Sequence, residues 1–575
     1  MSSHRSDKAR RTGGRKGPRA GHSPAPDAAP SAFAAWFGRH RALVPVLFAL
    51  VVVASIRLRI ADIPLERDEG EYAYAGQLIL RGVPPYSLAY NMKFPGTYYA
   101  YAVILAAFGQ TSWGIHVGLL CVNAVTTLIL FSLARRLLGE LGGVTAAIAF
   151  AFLSLDRAIL GVFAHATHFL ILPALAAFLL ILRPAESRRL LTLLGAGALI
   201  GLAVMMKQHA VFFLPLAIMI VCWDDLVEVP RRIGGAAVNS ALLAAGAAIP
   251  FVLLIVVFAI QGVVGRFVFW TIRYAKEYVS QVPLSSAWLA FASAWQEITA
   301  ANWPIWLLAG FGLLSVWFGK WPGRVRLFAS GFLVAALLAI APGFYFRTHY
   351  FIVLLPAAAL LAGVGAVTIE RVLGRMISAG AARAAAAMIF VILLGMYVFG
   401  ERTYLFSIGS RDFSRTRYGA NPFVEAPAVA AYLRGHTAPG DRIAVIGSEP
   451  EIYFYAQRLS ATGYIYTYPL MEPQPFARRM QEEMIQQIEA AHPKYLVFVS
   501  ISTSWLARPE SDKTILEWTK RYADQCYDVV GIADIYSLRQ TEIVWDVKAA
   551  TYQPRSQNLV VTLRRKSDAP CATAH

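Results

Sequence analysis

About eleven apolar runs, each near the ~20 residues a helix needs to cross a bilayer core, dominate this sequence between residues 42 and 400. They lie near 42–57, 113–133, 140–155, 158–182, 190–206, 210–223, 235–261, 303–319, 327–342, 349–366 and 383–400. Such a chain is expected to fold as a polytopic α-helical membrane protein, because helices satisfy their own backbone groups in lipid. Composition agrees: 57% of residues are hydrophobic and 15% charged, against about a quarter charged in soluble domains. Beyond residue 400 the composition returns to that of a soluble domain. The expected division is a basic tail, disordered and cytoplasmic, over 1–40, a membrane domain over 41–400, and an extracytoplasmic α/β domain over 401–575.

The charge of +18 does not point to nucleic acid. Much of it lies in the Gly/Pro/Ser/Ala-rich tail and in hinges between apolar runs, with no aromatic-interleaved basic stripe. With the tail inside, alternate hinges fall on the cytoplasmic side. They hold Arg135-Arg136, Arg183 with Arg188-Arg189, Arg231-Arg232, Lys320 with Arg324 and Arg326, and Arg371 with Arg375. All are basic, as the positive-inside rule requires. No cleavable signal peptide is evident, since the first apolar run starts late and others follow. Of four cysteines, Cys121 and Cys222 read as packing residues within runs, and a Cys526–Cys571 disulfide is permitted if the last domain is extracytoplasmic.

The outer side then receives the segment from Asp62 to Ser112, with two interfacial helices expected near 68–81 and 98–108. It also receives the bends at Asp156 and Lys207, the loop 262–302, the turn at Arg347 and the C-terminal domain. That domain alternates helices (426–436, 477–492, 513–525) with strands (442–447, 494–500, 527–533), which implies a small α/β unit with parallel strands. It carries neither a G-x-G-x-x-G loop nor a Walker motif.

The acidic run Asp68-Glu69-Gly70-Glu71-Tyr72 stands out in so acid-poor a region. It reads either as a solvated helix start, where acids favour the first turn, or as a general base at the mouth of a membrane cavity. Lys93 is a snorkelling lysine or a site cation. Asp156 pairs locally with Arg157 or joins the site. Lys207, between strongly apolar helices, is functional or paired. Arg347 can fork onto phosphate oxygens, His349 and Tyr350 follow it, and Arg273 with Lys276 adds charge to the outer loop. His165 and His168 sit about one helical turn apart and read as core or hydrogen-bonding histidines before metal ligands. One acidic cluster facing separated cations suits a lipid phosphate leaving group and a carboxylate that deprotonates an acceptor hydroxyl.

Arg67-Asp68-Glu69-x-x-Tyr72-Ala73 followed by Met92-Lys93-Phe94-Pro95 resembles the first outer loop of GT-C membrane glycosyltransferases that use polyprenyl-phosphate sugars. These include the protein O-mannosyltransferases and the aminoarabinose and galacturonic acid transferases. Gly201-Leu202-Ala203 to Lys207-Gln208, and His349-Tyr350 to Leu355-Pro356, are similar to later blocks of the family, so the likeness spans roughly residues 40–370. The resemblance implies that Asp68 is the catalytic aspartate with Glu69 as its partner. It makes Lys93 the lysine of an acidic-Lys-Pro block and places Lys207 and Arg347 at the donor phosphate. Met92 and Phe94-Pro95 depart from the acidic-Lys-Pro-Pro pattern, and His165 and His168 depart from the family's usual residues.

The implied reaction is a single inverting displacement on a polyprenyl-phosphate sugar by a lipid or polysaccharide hydroxyl, at the outer face of a bacterial inner membrane. It needs neither metal nor cofactor. A secondary transporter or flippase is the main alternative, against which stand the missing internal repeat and the one-sided polar cluster. A non-catalytic envelope-assembly scaffold is the other.

Overall fold

The computed structural model describes residues 41–183, 190–228 and 233–567. Every apolar run contains helix: α1 (Leu43–Arg59), α4 (Ser112–Leu153), α5 (Ala166–Ile181), α6 (Leu190–Met206), α7 (Phe213–Trp223), α8 (Ile233–Ile260), α10 (Trp303–Phe318), α11 (Gly323–Ile340), α12 (Leu355–Leu373) and α13 (Ala379–Gly400). Between them lie α2 (Arg67–Leu80), α3 (Gly96–Phe108) and α9 (Leu284–Ala300). Six helices among the described residues are long and apolar enough to cross a membrane, or seven with the pair α9–α10, bent by 113°. That is fewer than the eleven runs, because α1, α5, α6 and, taken alone, α10 are short and α4 joins two runs. Gly139, at φ +85°, breaks α4 between them, in a backbone region that costs glycine little.

α12, with the 3-10 turn Thr348–Leu354 before it, is the most enclosed of these spans and packs against α4 and α10. The run expected over 158–182 becomes helical only at Ala166. Its first residues form a non-helical bend, because the Asp156 carboxylate accepts the N–H groups of Ala158 and Ile159. Arg57 adds to this by donating to the carbonyls of Ser154 and Gly161.

The C-terminal region forms a six-stranded sheet in the order β2-β1-β3-β6-β4-β5. Its strands are β1 (Arg442–Ile446), β2 (Leu459–Ser460), β3 (Tyr495–Ser500), β4 (Tyr527–Ile535), β5 (Thr541–Trp545) and β6 (Leu559–Arg565). It carries helices α14 (Ala426–His436), α15 (Pro450–Ala456), α16 (Ala477–Ala491) and α17 (Thr514–Cys526). β1 runs parallel to β2 and β3, whereas β6 inserts antiparallel between β3 and β4. The three expected strands β1, β3 and β4 all run in one direction, but the sheet is mixed, because β6 separates β3 from β4 and β5 returns beside β4. A five-residue hairpin turns β4 directly into β5, and a tight return of that kind makes neighbours antiparallel. Cys121 and Cys222 are free, and Cys571 lies outside the described residues.

α2 and α3 occupy the expected places after α1. α2 is enclosed from Glu69 to Leu78, between α3 on one side and α15 on the other. A Cβ at Gly70 would lie 2.6 Å from the Glu451 backbone nitrogen, so only glycine lets α15 approach this closely.

Candidate active site

Three acids open α2, and the structure separates their roles. Glu66 is the N-cap. Its carboxylate accepts the Glu69 N–H at 2.9 Å, while Glu69 Oε2 accepts the Glu66 N–H at 3.3 Å, a reciprocal capping box. Glu69 Oε1 also accepts the Ala164 N–H at 2.5 Å and lies 3.0 Å from His116 Nε2. Fully buried, Glu69 ties α2 to the bend before α5 and does not reach the cavity. With the helix start satisfied by its neighbours, Asp68 is left to face open space.

That space is a cavity of about 980 Å³ between the helix ends and the C-terminal domain. Asp68 Oδ1 accepts from Lys93 Nζ at 2.8 Å, and Lys93 also donates to Glu71 at 2.6 Å. Glu71 in turn accepts the Tyr98 hydroxyl at 2.5 Å, and the Lys93 ammonium lies 4.5 Å from the Tyr72 ring centroid. The partners left in doubt by the altered motif around Lys93 are therefore Asp68 and Glu71. Burial alone would raise Asp68, but the Lys93 charge, with His349 and His165, holds it well below the usual carboxylate range. Glu71, more deeply buried, is pushed up.

The other oxygen, Asp68 Oδ2, lies 3.9 Å from His165 Nδ1 and 3.9 Å from His349 Nε2. The two imidazoles stack with centroids 4.4 Å apart, and neither ring nitrogen of His165 has a hydrogen-bond partner among the described residues. One ligand atom from each of Asp68, His165 and His349 falls within 4.8 Å of the others, so these three could hold a divalent cation, which the sequence did not suggest.

Lys207, Arg347 and Tyr350 face Asp68 across the same cavity. The Lys207 ammonium stands 3.9 Å from the Tyr350 ring centroid and the Arg347 guanidinium 5.4 Å from that of Tyr345. Neither cation forms a salt bridge among the described residues. Burial pushes Lys207 down to about 7. Unpaired cations on a cavity wall are poised for an anionic ligand.

Not every expected residue arrives. Arg273 is exposed and outside the cavity, although Lys276 lines it. Asp156 is consumed by its own bend and by Asn302, which donates to Oδ2 at 2.7 Å. His168 turns to Asn123 at 3.1 Å and away from the cavity. Conversely, Glu66, His116 and three cavity residues of the C-terminal domain, Tyr466, Tyr468 and Arg508, were not foreseen. The tyrosine-dense stretch Tyr464-Ile465-Tyr466-Thr467-Tyr468 was the signal that could have found two of them.

Residues 92–253 match the family model described as dolichyl-phosphate-mannose-protein mannosyltransferase. No curated protein matches the chain by sequence. Among solved structures, apo ArnT from Cupriavidus metallidurans matches with a TM-score of 0.55 and 15% identity, over 92% of this chain and 98% of that one. ArnT bound to undecaprenyl phosphate matches with a TM-score of 0.53 and 16% identity, over the same shares. The archaeal oligosaccharyltransferase AglB from Archaeoglobus fulgidus, in complex with an inhibitory peptide and a dolichol-phosphate, gives 0.51 and 13%, over 92% of this chain and 77% of that one. The chain shares the GT-C fold of these solved structures. Its family match covers the stretch that contains Lys93, His165 and Lys207.

Proposed function

We propose that this protein transfers a sugar, with inversion, from a polyprenyl-phosphate donor to a hydroxyl of a lipid or polysaccharide acceptor. The reaction takes place at the outer face of the plasma membrane, with the basic N-terminal tail in the cytoplasm and the C-terminal domain outside. The observation that carries the reading is one cavity lined both by Asp68, held ionised by Lys93, and by cations, Lys207 and Arg347 among them, that form no salt bridge among the described residues.

The donor phosphate binds Lys207 and Arg347, the latter as a fork onto two oxygens. The acceptor hydroxyl lies against Asp68 Oδ2. Its oxygen attacks C1 opposite the phosphate, the C1–O bond to phosphorus breaks, and polyprenyl phosphate leaves with the electron pair. Asp68 takes the hydroxyl proton, and the cations stabilise charge developing on the leaving group. Lys93, shared by Asp68 and Glu71, keeps Asp68 ionised between turnovers. Glu69 acts through α2 as a support and does not meet the substrate.

Mass spectrometry of envelope glycolipids and polysaccharides, from cells lacking the protein and cells re-expressing it, tests this. Loss of one sugar, restored on re-expression, is the expected result. Loss of a whole lipid-linked species from the outer face indicates a flippase instead, and an unchanged sugar inventory overturns the transferase reading.

A further inference from the structure

We infer that the C-terminal domain aims Asp68 at its substrate, with Tyr466 as a positioning residue; this rests on the reading of Asp68 as the base. The domain grips the residue immediately before Asp68 by both side chain and main chain. Arg67 Nε–H donates to the Ser448 carbonyl, and its terminal nitrogen donates to Glu449 at 2.9 Å and Asn421 at 3.0 Å. The Arg67 carbonyl accepts the Tyr466 hydroxyl at 2.9 Å. The same hydroxyl lies 3.3 Å from Asp68 Oδ1, and the Tyr466 ring centroid is 5.7 Å from Lys93 Nζ. Tyr466 thus touches the helix start, the base and the counter-ion of the base.

The grip is stiff. Thr467 N–H donates to Ser448 Oγ at 3.0 Å, Ser448 N–H to Ser504 Oγ at 2.8 Å, and Ser504 Oγ–H to Glu449 at 2.7 Å. All four of these residues are buried. A carboxylate in the first turn of a helix can still rotate about two torsions. Lys93 and Tyr466 both lie on Oδ1, which leaves Oδ2 as the oxygen that addresses the cavity. Placement to within about 1 Å governs such proton transfers, so a contact that fixes the carboxylate acts on rate before it acts on binding.

Tyr455 supplies the control. Its hydroxyl accepts the Leu65 N–H at 2.9 Å, so it also joins the C-terminal domain to the acidic loop, but it does not line the cavity. The test uses the full-length chain in null cells. The rate at which the missing sugar returns after induction is read at matched protein level. Binding of undecaprenyl phosphate is measured on purified protein. Tyr466→Phe should slow return about tenfold, the scale of one well-placed hydrogen bond, and leave undecaprenyl phosphate binding unchanged. Tyr455→Phe should leave the rate as in wild type. A wild-type rate in Tyr466→Phe overturns the inference, as does an equal slowing in Tyr455→Phe or a matching loss of undecaprenyl phosphate binding in Tyr466→Phe, either of which marks the contact as structural. Asp68→Asn separates the two claims. If it retains the rate, the base assignment itself falls; if it is inactive while Tyr466→Phe is normal, only the positioning role falls.

Discussion

Two aspartates in this molecule, the buried Asp156 and the half-buried Asp68, are used in opposite ways. Asp156, after α4, gives one oxygen to two backbone N–H groups and the other to Asn302. Asp68, at the start of α2, gives nothing to the backbone. Glu66 and Glu69 cap its helix, one of its oxygens is held by Lys93, and the other faces stacked histidines and open cavity. A buried carboxylate in a protein this poor in acids is costly unless its oxygens are satisfied. Where backbone donors satisfy them it is part of the fold. Where a neighbour takes over the capping and leaves an oxygen facing a cavity, it is available for chemistry.

The comparison can be broken at several points. The largest expected effect is from Asp68→Asn, which should lower sugar transfer by at least about 10³-fold, the range of lost general-base catalysis, in protein that still folds and inserts. Arg347→Lys should follow at about 10²-fold, because a point charge does not copy a fork onto phosphate. Equal activity of the lysine variant would remove Arg347 from the phosphate site. Lys207 gives a pH dependence. Its folded value is lowered to about 7, so the ammonium is present below that pH and lost as pH rises through it. Undecaprenyl phosphate affinity, measured on purified protein, should therefore fall above neutrality, and Lys207→Met should flatten that dependence.

Glu69→Gln should cost about 2 kcal/mol of stability, since it removes the charge from a buried acceptor of several hydrogen bonds. It should lower the thermal midpoint in detergent more than it lowers transfer. Asp156→Asn should have the smallest effect on activity. Burial raises Asp156 to about 7, above its unfolded value, so its contribution to stability is present at low pH and lost as pH rises towards and through 7. The asparagine variant should lack that loss, seen as a flatter midpoint-against-pH curve.

Much of this was legible in the sequence because it is local. Apolar runs, basic hinges and the acidic loop each declare themselves within about 20 residues. The interruption between the second and third runs was legible beside Arg135-Arg136 and appears at Gly139. The rest required tertiary distance. Tyr466 meets Asp68 across 398 positions, and no local pattern encodes that contact. Asp68 and Glu69 look equivalent as sequence, and only the capping geometry assigns one to the helix and the other to the cavity. Arg273 was persuasive as a cation in an outer loop, but its side chain points to the exposed face. β2, β5 and β6 were not read as strands, although Leu559 to Leu563 is a β-branched run, and the place of β6 between β3 and β4 is set by pairing.

The most direct test measures the return of the missing envelope sugar in null cells expressing Asp68→Asn or Asp156→Asn at matched levels. Abolished return with Asp68→Asn beside near-normal return with Asp156→Asn is the predicted result. Substantial transfer by Asp68→Asn, or an equal loss in both variants, would contradict it.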